Sequence, residues 1–364
     1  MIKWWNTNLG IEAKKKVNYA LDKSFISQGP LTKELEKKIS IFLKAKNIIA
    51  VPNGSQGMLL ALLSFNLKIN DEIIVPNVAW ISLMNSIKIL NLKPILVEVE
   101  KNRPVMCMSD LKKKITKKTK VIIPVHMNGR ITNMIKINEI AKKHRIKVIE
   151  DAAQSFGVKY RNNFMGTFGD IGVFSMSMSK TITSGQGGFL IVKRKKLANK
   201  IIKMRNQGAE NVNKIYKWKN FGFNFKLTDL QSAIAITQLQ KFIKNKKILI
   251  SNYLYYKKLL LGMEKYIYPA NIDIKKGEIP TYNEFICKKR LNLLNYLFKN
   301  GIETREFYPN FNKVEYIKFK KSRFLNSEIY EKNSLYLPSG PDLKKKEIQK
   351  VVKYIRKFYE GNKK

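Results

Sequence analysis

In the stretch GVFSMSMSKTITSGQGG, residues 172–188, a single lysine, Lys180, stands among serines, threonines and glycines, in a chain whose lysines mostly cluster. A lysine in a largely desolvated pocket loses proton affinity and becomes a nucleophile toward carbonyls. In so lysine-rich a chain, an exposed loop lysine is the competing reading. Three other short stretches carry residues suited to chemistry. AVPNGSQG sets Asn53, Gly54, Ser55, Gln56 and Gly57 between an apolar run and a helical pattern. There, free amide N–H groups and the helix dipole favour phosphate, although a plain capped turn has the same look. KVIEDAAQS ends an apolar run with Glu150 and Asp151. Side chains alternate along a strand, so one of the pair points into a site when the other faces away; helix capping by Asp151 is the alternative. PNVAWIS puts Trp80 where a flat ring stacks on a planar group or fills the core.

Ser175 precedes Lys180 by five residues. The set then contains a phosphate cradle, a ring clamp, a carboxylate for a pyridinium and an amine for a Schiff base. Those are the parts that hold pyridoxal phosphate.

The elements that must position these groups follow from hydrophobic patterning. NIIAVPNG, DEIIVPN, PILVEVE, KVIIPVH and KVIEDAAQ read as buried strands. SQGMLLALLSFNL, ISLMNSIKILN, SDLKKKITKK and MIKINEIAKKHR between them read as helices. This βαβ alternation predicts a largely parallel sheet flanked by helices. DIGVFSMS and GGFLIVK follow without a full helix between them, so one strand is expected to run antiparallel. The stretch from KLTDLQSAIAITQLQ to YYKKLLLGM is expected to bridge two domains, and KKKEIQKVVKYIRKFYE to close the chain as a helix. In open α/β sheets ligands bind beyond the carboxyl ends of strands, where the candidate residues fall.

Composition narrows the classes. A chain of 364 residues with 44% hydrophobic content can build a large core plus a smaller one. Two cysteines, Cys107 and Cys287, and two histidines, His126 and His144, are too few for a zinc site or a disulfide framework. No apolar run is long enough for a membrane span. The start of the chain lacks the order of a signal peptide. The reading is a cytoplasmic protein without membrane insertion. The net charge of +43 raises nucleic-acid or membrane binding as a rival. Only ten of the 70 basic residues are arginine, the usual bidentate reader of phosphate and bases, and the lysines are spread along the chain. Lysine travels with isoleucine and asparagine, as an AT-rich genome produces, and no nucleic-acid partner is expected.

Taken together, the motifs resemble the DegT/StrS sugar aminotransferases, pyridoxal-phosphate enzymes of fold type I. The resemblance rests on SFISQGPLTKELEKKIS, NGSQGMLLAL, DEIIVPNVAW, PVHMNG, VIEDAAQSFG, GTFGDIGVFSMSMSKTITSGQGG, FGFNFKLTDLQSAIAITQL and LYLPSGPDL, over nearly the whole chain. It implies an α/β fold with a large pyridoxal-phosphate domain at residues 1–244, whose mainly parallel central sheet is flanked by helices. A smaller C-terminal α+β domain at 245–364 would follow. It implies that Lys180 is the Schiff-base lysine and proton carrier, that Asp151 pairs with the pyridine nitrogen, and that Gln154 contacts the ring's phenolic oxygen. Trp80 would stack on the ring, with Ser175 and the backbone of Gly54, Ser55 and Gln56 on the phosphate. Asn224 matches the family asparagine that reaches the phosphate of a neighbouring subunit, which implies a homodimer with shared sites. The SQGPLT segment is implied to lie near the sugar, a plain loop before a helix being the alternative.

Two positions depart from the family. Gln186 replaces the glutamate of the usual G-E-G-G, and Asn128 stands where many members have an aromatic, so sugar contacts are expected to differ. A family branch that performs dehydration has histidine in place of the lysine, and Lys180 argues against that branch. The implied reaction moves an amino group from glutamate to a nucleotide-linked ketosugar. LYLPSGPDL and GIETREFYP are similar to perosamine-synthase-type members, which favours GDP-4-keto-6-deoxymannose and a role in O-antigen or other surface glycan synthesis. UDP- and dTDP-linked ketosugars, or sugar dehydration, are the alternatives.

Overall fold

The computed structural model describes residues 1–209, 220–319 and 322–361. The apolar runs form a seven-stranded sheet. Its spatial order is Ile48–Val51, Gly188–Val192, Ile171–Ser175, Lys147–Asp151, Thr119–Ile122, Glu72–Pro76 and Lys93–Val97. Helices Gly54–Leu63, Ser82–Ile89, Met108–Lys114 and Met134–His144 lie between successive strands in the chain. Strands such as Ile48–Val51 and Glu72–Pro76 are buried at every position, as expected of strands covered on both faces.

The strand Gly188–Val192 alone runs antiparallel to its neighbours in this sheet. Residues 176–187 contain no helix to carry the chain back over the sheet, so the strand folds directly against Ile171–Ser175 with Ser175 opposite Gly188. This connection leaves the loop bearing Lys180 at the carboxyl edge. Asp151 ends the adjacent parallel strand, in register with Val173.

A second sheet, ordered Ile267–Pro269, Asn283–Cys287, Ser334–Leu337 and Arg305–Glu306, is antiparallel throughout. The last helix, Lys345–Glu360, buries Ile348, Val351, Val352, Ile355 and Tyr359, the stripe of an amphipathic helix. That stripe packs into a core distinct from that of the large sheet. The two cores share the 31-residue helix Asp229–Leu259, opened by a capping box between Thr228 and Gln231. Phe242 and Leu249 of this helix belong to the first core and Tyr256 to the second, and the expected boundary at 244/245 falls inside it. The start of the chain also spans both: Ile2 bridges Ile302 and sits in the second core, whereas Trp5, bridged to Ser339, sits in the first. Among the described residues, no helix is long and apolar enough to cross a membrane.

Candidate active site

The carboxyl edge of the large sheet opens into a cavity of about 1110 Å³ that also touches the second sheet. On the first wall, Asn53 caps the helix Gly54–Leu63, its Oδ1 accepting from the Gln56 N–H at 2.8 Å. The Gly57 N–H makes the first intrahelical bond, to the Asn53 carbonyl. The amides of Gly54 and Ser55 therefore have no acceptor within the helix. Gly54, Ser55 and Gln56 line the cavity, as does Ser175. The doubled glycine makes this approach feasible: a Cβ on Gly188 would lie 2.8 Å from the Asn53 carbonyl carbon and 2.9 Å from the Gly54 nitrogen.

Alternation separates the adjacent carboxylates. Glu150 is fully buried, accepting from the amides of Gly166, Phe168 and Gly169 and facing His126 Nε2 at 2.9 Å. It is structural. Asp151 turns the other way into the cavity, with Oδ1 accepting from the Ala153 N–H at 3.1 Å. Burial pushes the Asp151 carboxyl above its ordinary value, although the Ala153 N–H and the fields of Lys180 and His126 pull it down. A cation beside it would relieve this cost.

Lys180 reaches the same cavity, half-buried, its Nζ donating to Tyr282 Oη at 3.4 Å. Gln154 lines it too, and its Nε2 donates to Tyr308 Oη at 3.2 Å. Trp80 is 56% exposed, so it is not a core residue; its ring meets Tyr308 edge to face at 5.5 Å. Burial pushes the Tyr308 hydroxyl well up, so it stays protonated. Gln186 lines the cavity, but the contacts that anchor it are made by its backbone carbonyl, which accepts from Ser184 Oγ and Gln231 Nε2.

Three positions lie outside this cavity, one of them a residue expected to reach a neighbouring subunit's site rather than its own. Asn224 is exposed, bridged to Asn206, and does not line the cavity. The SQGPLT segment forms the start of helix Pro30–Leu43. Asp229 pins it by accepting from the amides of Gly29, Leu31 and Thr32, and it does not line the cavity. Asn128 does not line the cavity: it is fully buried and its amide group bonds the second sheet. Conversely, Tyr282, Tyr308, Tyr336 and Trp4 line the cavity without having been singled out by the sequence. Only Tyr308, in GIETREFYP, and Tyr336, in LYLPSGPDL, lie in motifs with any such signal.

The donor set fits pyridoxal phosphate. Free amides at a helix start and the Ser175 hydroxyl suit a phosphate. Asp151, held against its own burial cost, suits a protonated ring nitrogen, and Lys180 suits an aldehyde. With a mainly parallel sheet carrying these groups at its carboxyl edge, the molecule is a fold type I pyridoxal-phosphate enzyme.

More particularly, the chain belongs to the DegT/DnrJ/EryC1/StrS aminotransferase family, whose model matches residues 8–356, and it is a pyridoxal-phosphate-dependent sugar aminotransferase. It is 32% identical to a GDP-perosamine synthase of Escherichia coli O157:H7 over 95% of both chains. Among solved structures, Helicobacter pylori PseC, an aminotransferase of pseudoaminic acid biosynthesis, superposes with a TM-score of 0.94 at 21% identity over 99% of each chain. An E. coli GDP-4-keto-6-deoxy-D-mannose-3-dehydratase with bound hydrated PLP superposes at 0.89 with 24% identity, covering 97% of this chain and 99% of that one. At those identities the superpositions speak for the fold.

Proposed function

We propose that this aminotransferase carries the amino group of glutamate to GDP-4-keto-6-deoxymannose, acting as a cytoplasmic homodimer in amino-sugar synthesis for O-antigen or another surface glycan. The observation that carries the reading is the convergence of Lys180, Asp151 and the Asn53–Gln56 turn on one cavity. The relatives named GDP-perosamine synthase support the choice of nucleotide and sugar. Exposed Trp80 and Met178, on segments that border the cavity, and Asn224 outside it support a partner subunit completing the site.

When bound, pyridoxal phosphate supplies a carbonyl for the amine and an electron sink for the bond being broken. The chain's own groups do the rest. The amides of Gly54 and Ser55, with Ser175, hold the phosphate. Asp151 would keep a positive charge opposite its carboxylate, Gln154 would contact the ring's phenolic oxygen, and Trp80 would stack on the ring. With the group bound, Lys180 Nζ would take the proton from the glutamate Cα and carry it past the amine nitrogen to the carbon beyond. In the second half it runs the same transfer toward the sugar carbon, so the kinetics are ping-pong.

The test begins with the absorbance of the purified protein plus pyridoxal phosphate, before and after glutamate. A visible band that moves to the near ultraviolet is expected, followed by mass-spectrometric detection of an aminated GDP-sugar. Lys180→Ala abolishes both. A wild-type protein without the band at saturating cofactor overturns the reading; a UDP- or dTDP-linked or a dehydrated product overturns only the substrate or the reaction.

A further inference from the structure

We propose that Tyr282 is a further catalytic residue: its hydroxyl holds the Lys180 amine where the proton is delivered, and Asn128 is the buried clamp that keeps it there. The inference rests on Lys180 being the reacting amine.

Tyr282 Oη lies 3.4 Å from Lys180 Nζ and 3.4 Å from Ser179 Oγ. Among the described residues, no other side chain accepts a hydrogen bond from Lys180 Nζ. The Tyr282 side chain has little freedom: the residue is 2% exposed, with the rings of Trp4 and Trp5 at 5.6 Å and Tyr336 at 5.0 Å. Its peptide is gripped from both sides. The Tyr282 N–H donates to Asn128 Oδ1 at 2.7 Å, and its carbonyl accepts from Asn128 Nδ2 at 3.2 Å.

Asn128 is itself fixed. Its φ of +50° lies in the left-handed region that asparagine tolerates. Its Nδ2 donates to Glu284 Oε2 at 2.8 Å, beside Arg130 Nη1 at 2.7 Å on the same oxygen. Its N–H donates to Gln154 Oε1 at 2.7 Å. This one buried residue thus meets Gln154 through its backbone N–H, as other residues would, and holds the lysine-contacting Tyr282 through its side-chain amide. An aromatic side chain here would lack the paired donor and acceptor this requires. The departure seen in the sequence therefore acts on the catalytic amine and not on the sugar.

Lys180 must alternate between a neutral amine that accepts a proton and an ammonium that gives it away. The tyrosine hydroxyl serves both forms, donating its hydrogen to the first and accepting N–H from the second. No bond of Tyr282 is broken in either state. Asp151 is the carboxylate whose field also reaches Lys180, and it is unchanged in the variants below.

Tyr282→Phe removes the hydroxyl and keeps the ring. The visible cofactor band and the KM for glutamate should stay as in wild type, while the first half-reaction slows about tenfold. With α-deuterated glutamate its isotope effect should rise, since proton transfer then limits the step. In apoprotein without cofactor, acetylation of Lys180, read by peptide mass spectrometry against exposed Lys136, should increase about fivefold as the ammonium loses its acceptor. Asn128→Gly, which keeps the backbone conformation and loses the clamp, should move the isotope effect and the acetylation in the same directions. Unchanged acetylation and isotope effect in Tyr282→Phe overturn the role of Tyr282; unchanged values in a folded Asn128→Gly overturn the clamp. Both results are distinct from a wild type that never forms the band, which removes Lys180 as the reacting amine and this inference with it.

Discussion

The cavity has two walls made by different physics. The first is main chain: a capped helix start, two strand ends and a loop between antiparallel strands, with functional groups that follow from backbone direction. The second is side chain upon side chain. Tyr282, Tyr308, Tyr336 and Trp4 pack ring to ring, and the Tyr282 segment is tied down by Asn128 and the buried Arg130–Glu284 pair. A wall of backbone hydrogen bonds keeps its shape and stability when one side chain changes, even where that side chain carries the chemistry. A wall hung on one buried ion pair is exposed at a single point, because a lost partner strands the other charge in low dielectric.

Asp151→Asn tests the first wall and should give the largest effect. If Asp151 faces the ring nitrogen as proposed, removing its charge should lower turnover about 10²- to 10³-fold, the scale of breaking a buried charge pair. Stability should move the other way. A carboxyl whose folded value is raised disfavours the fold once ionised, so its contribution is best below the unfolded value and is lost as pH rises through the raised one. The asparagine variant lacks that loss. As apoprotein it should resist urea better than wild type at pH 8, with the gain shrinking toward pH 4. Full activity in this variant would place the ring's partner elsewhere.

Glu284→Gln tests the second wall. It leaves Arg130, fully buried, facing a neutral amide, which should cost about 3–5 kcal/mol in urea denaturation. The cofactor band should survive, because the first wall makes no use of Glu284. The half-reaction should slow as in Tyr282→Phe. The double variant Arg130→Met/Glu284→Leu sharpens the contrast: hydrophobic replacement of a buried pair restores stability, yet without a carboxylate for Asn128 it should not restore the rate. Recovery of both would show that the pair serves packing alone.

The same contrast explains what the chain discloses. Lys180, the Asn53–Gln56 turn and the antiparallel strand were legible because each is written in one local stretch whose backbone consequence is fixed. Alternation alone cannot choose between Glu150 and Asp151; the family resemblance points to Asp151, and the packed sheet shows which side each faces. Tyr282 in IPTYNEF carries no such mark. Its place depends on Asn128, 154 residues away, and on tryptophans at the start of the chain. Asn128 was visible as a departure from the family, but its position alone did not reveal that its amide faces inward. SQGPLT likewise shows a helix start, and only Asp229, brought from 200 residues on, shows what holds it.

Gln186 is the mildest test of the boundary between the walls, since the family glutamate and this glutamine differ in charge and hardly in shape. What the structure uses is the carbonyl of this residue, which accepts from Ser184 Oγ at 2.6 Å and Gln231 Nε2 at 3.1 Å and so holds the end of the Lys180 loop. The side chain is exposed, and a charge there is screened within about 10 Å at ordinary salt. Gln186→Glu should therefore change stability by less than about 0.5 kcal/mol and kcat/KM by no more than about threefold, with the difference fading as salt is raised. A tenfold change that persists at high salt would mean that the side chain touches substrate or cofactor. The first wall would then rest on a side chain as well as on backbone, and Gln186 would be a point at which this chain selects its sugar.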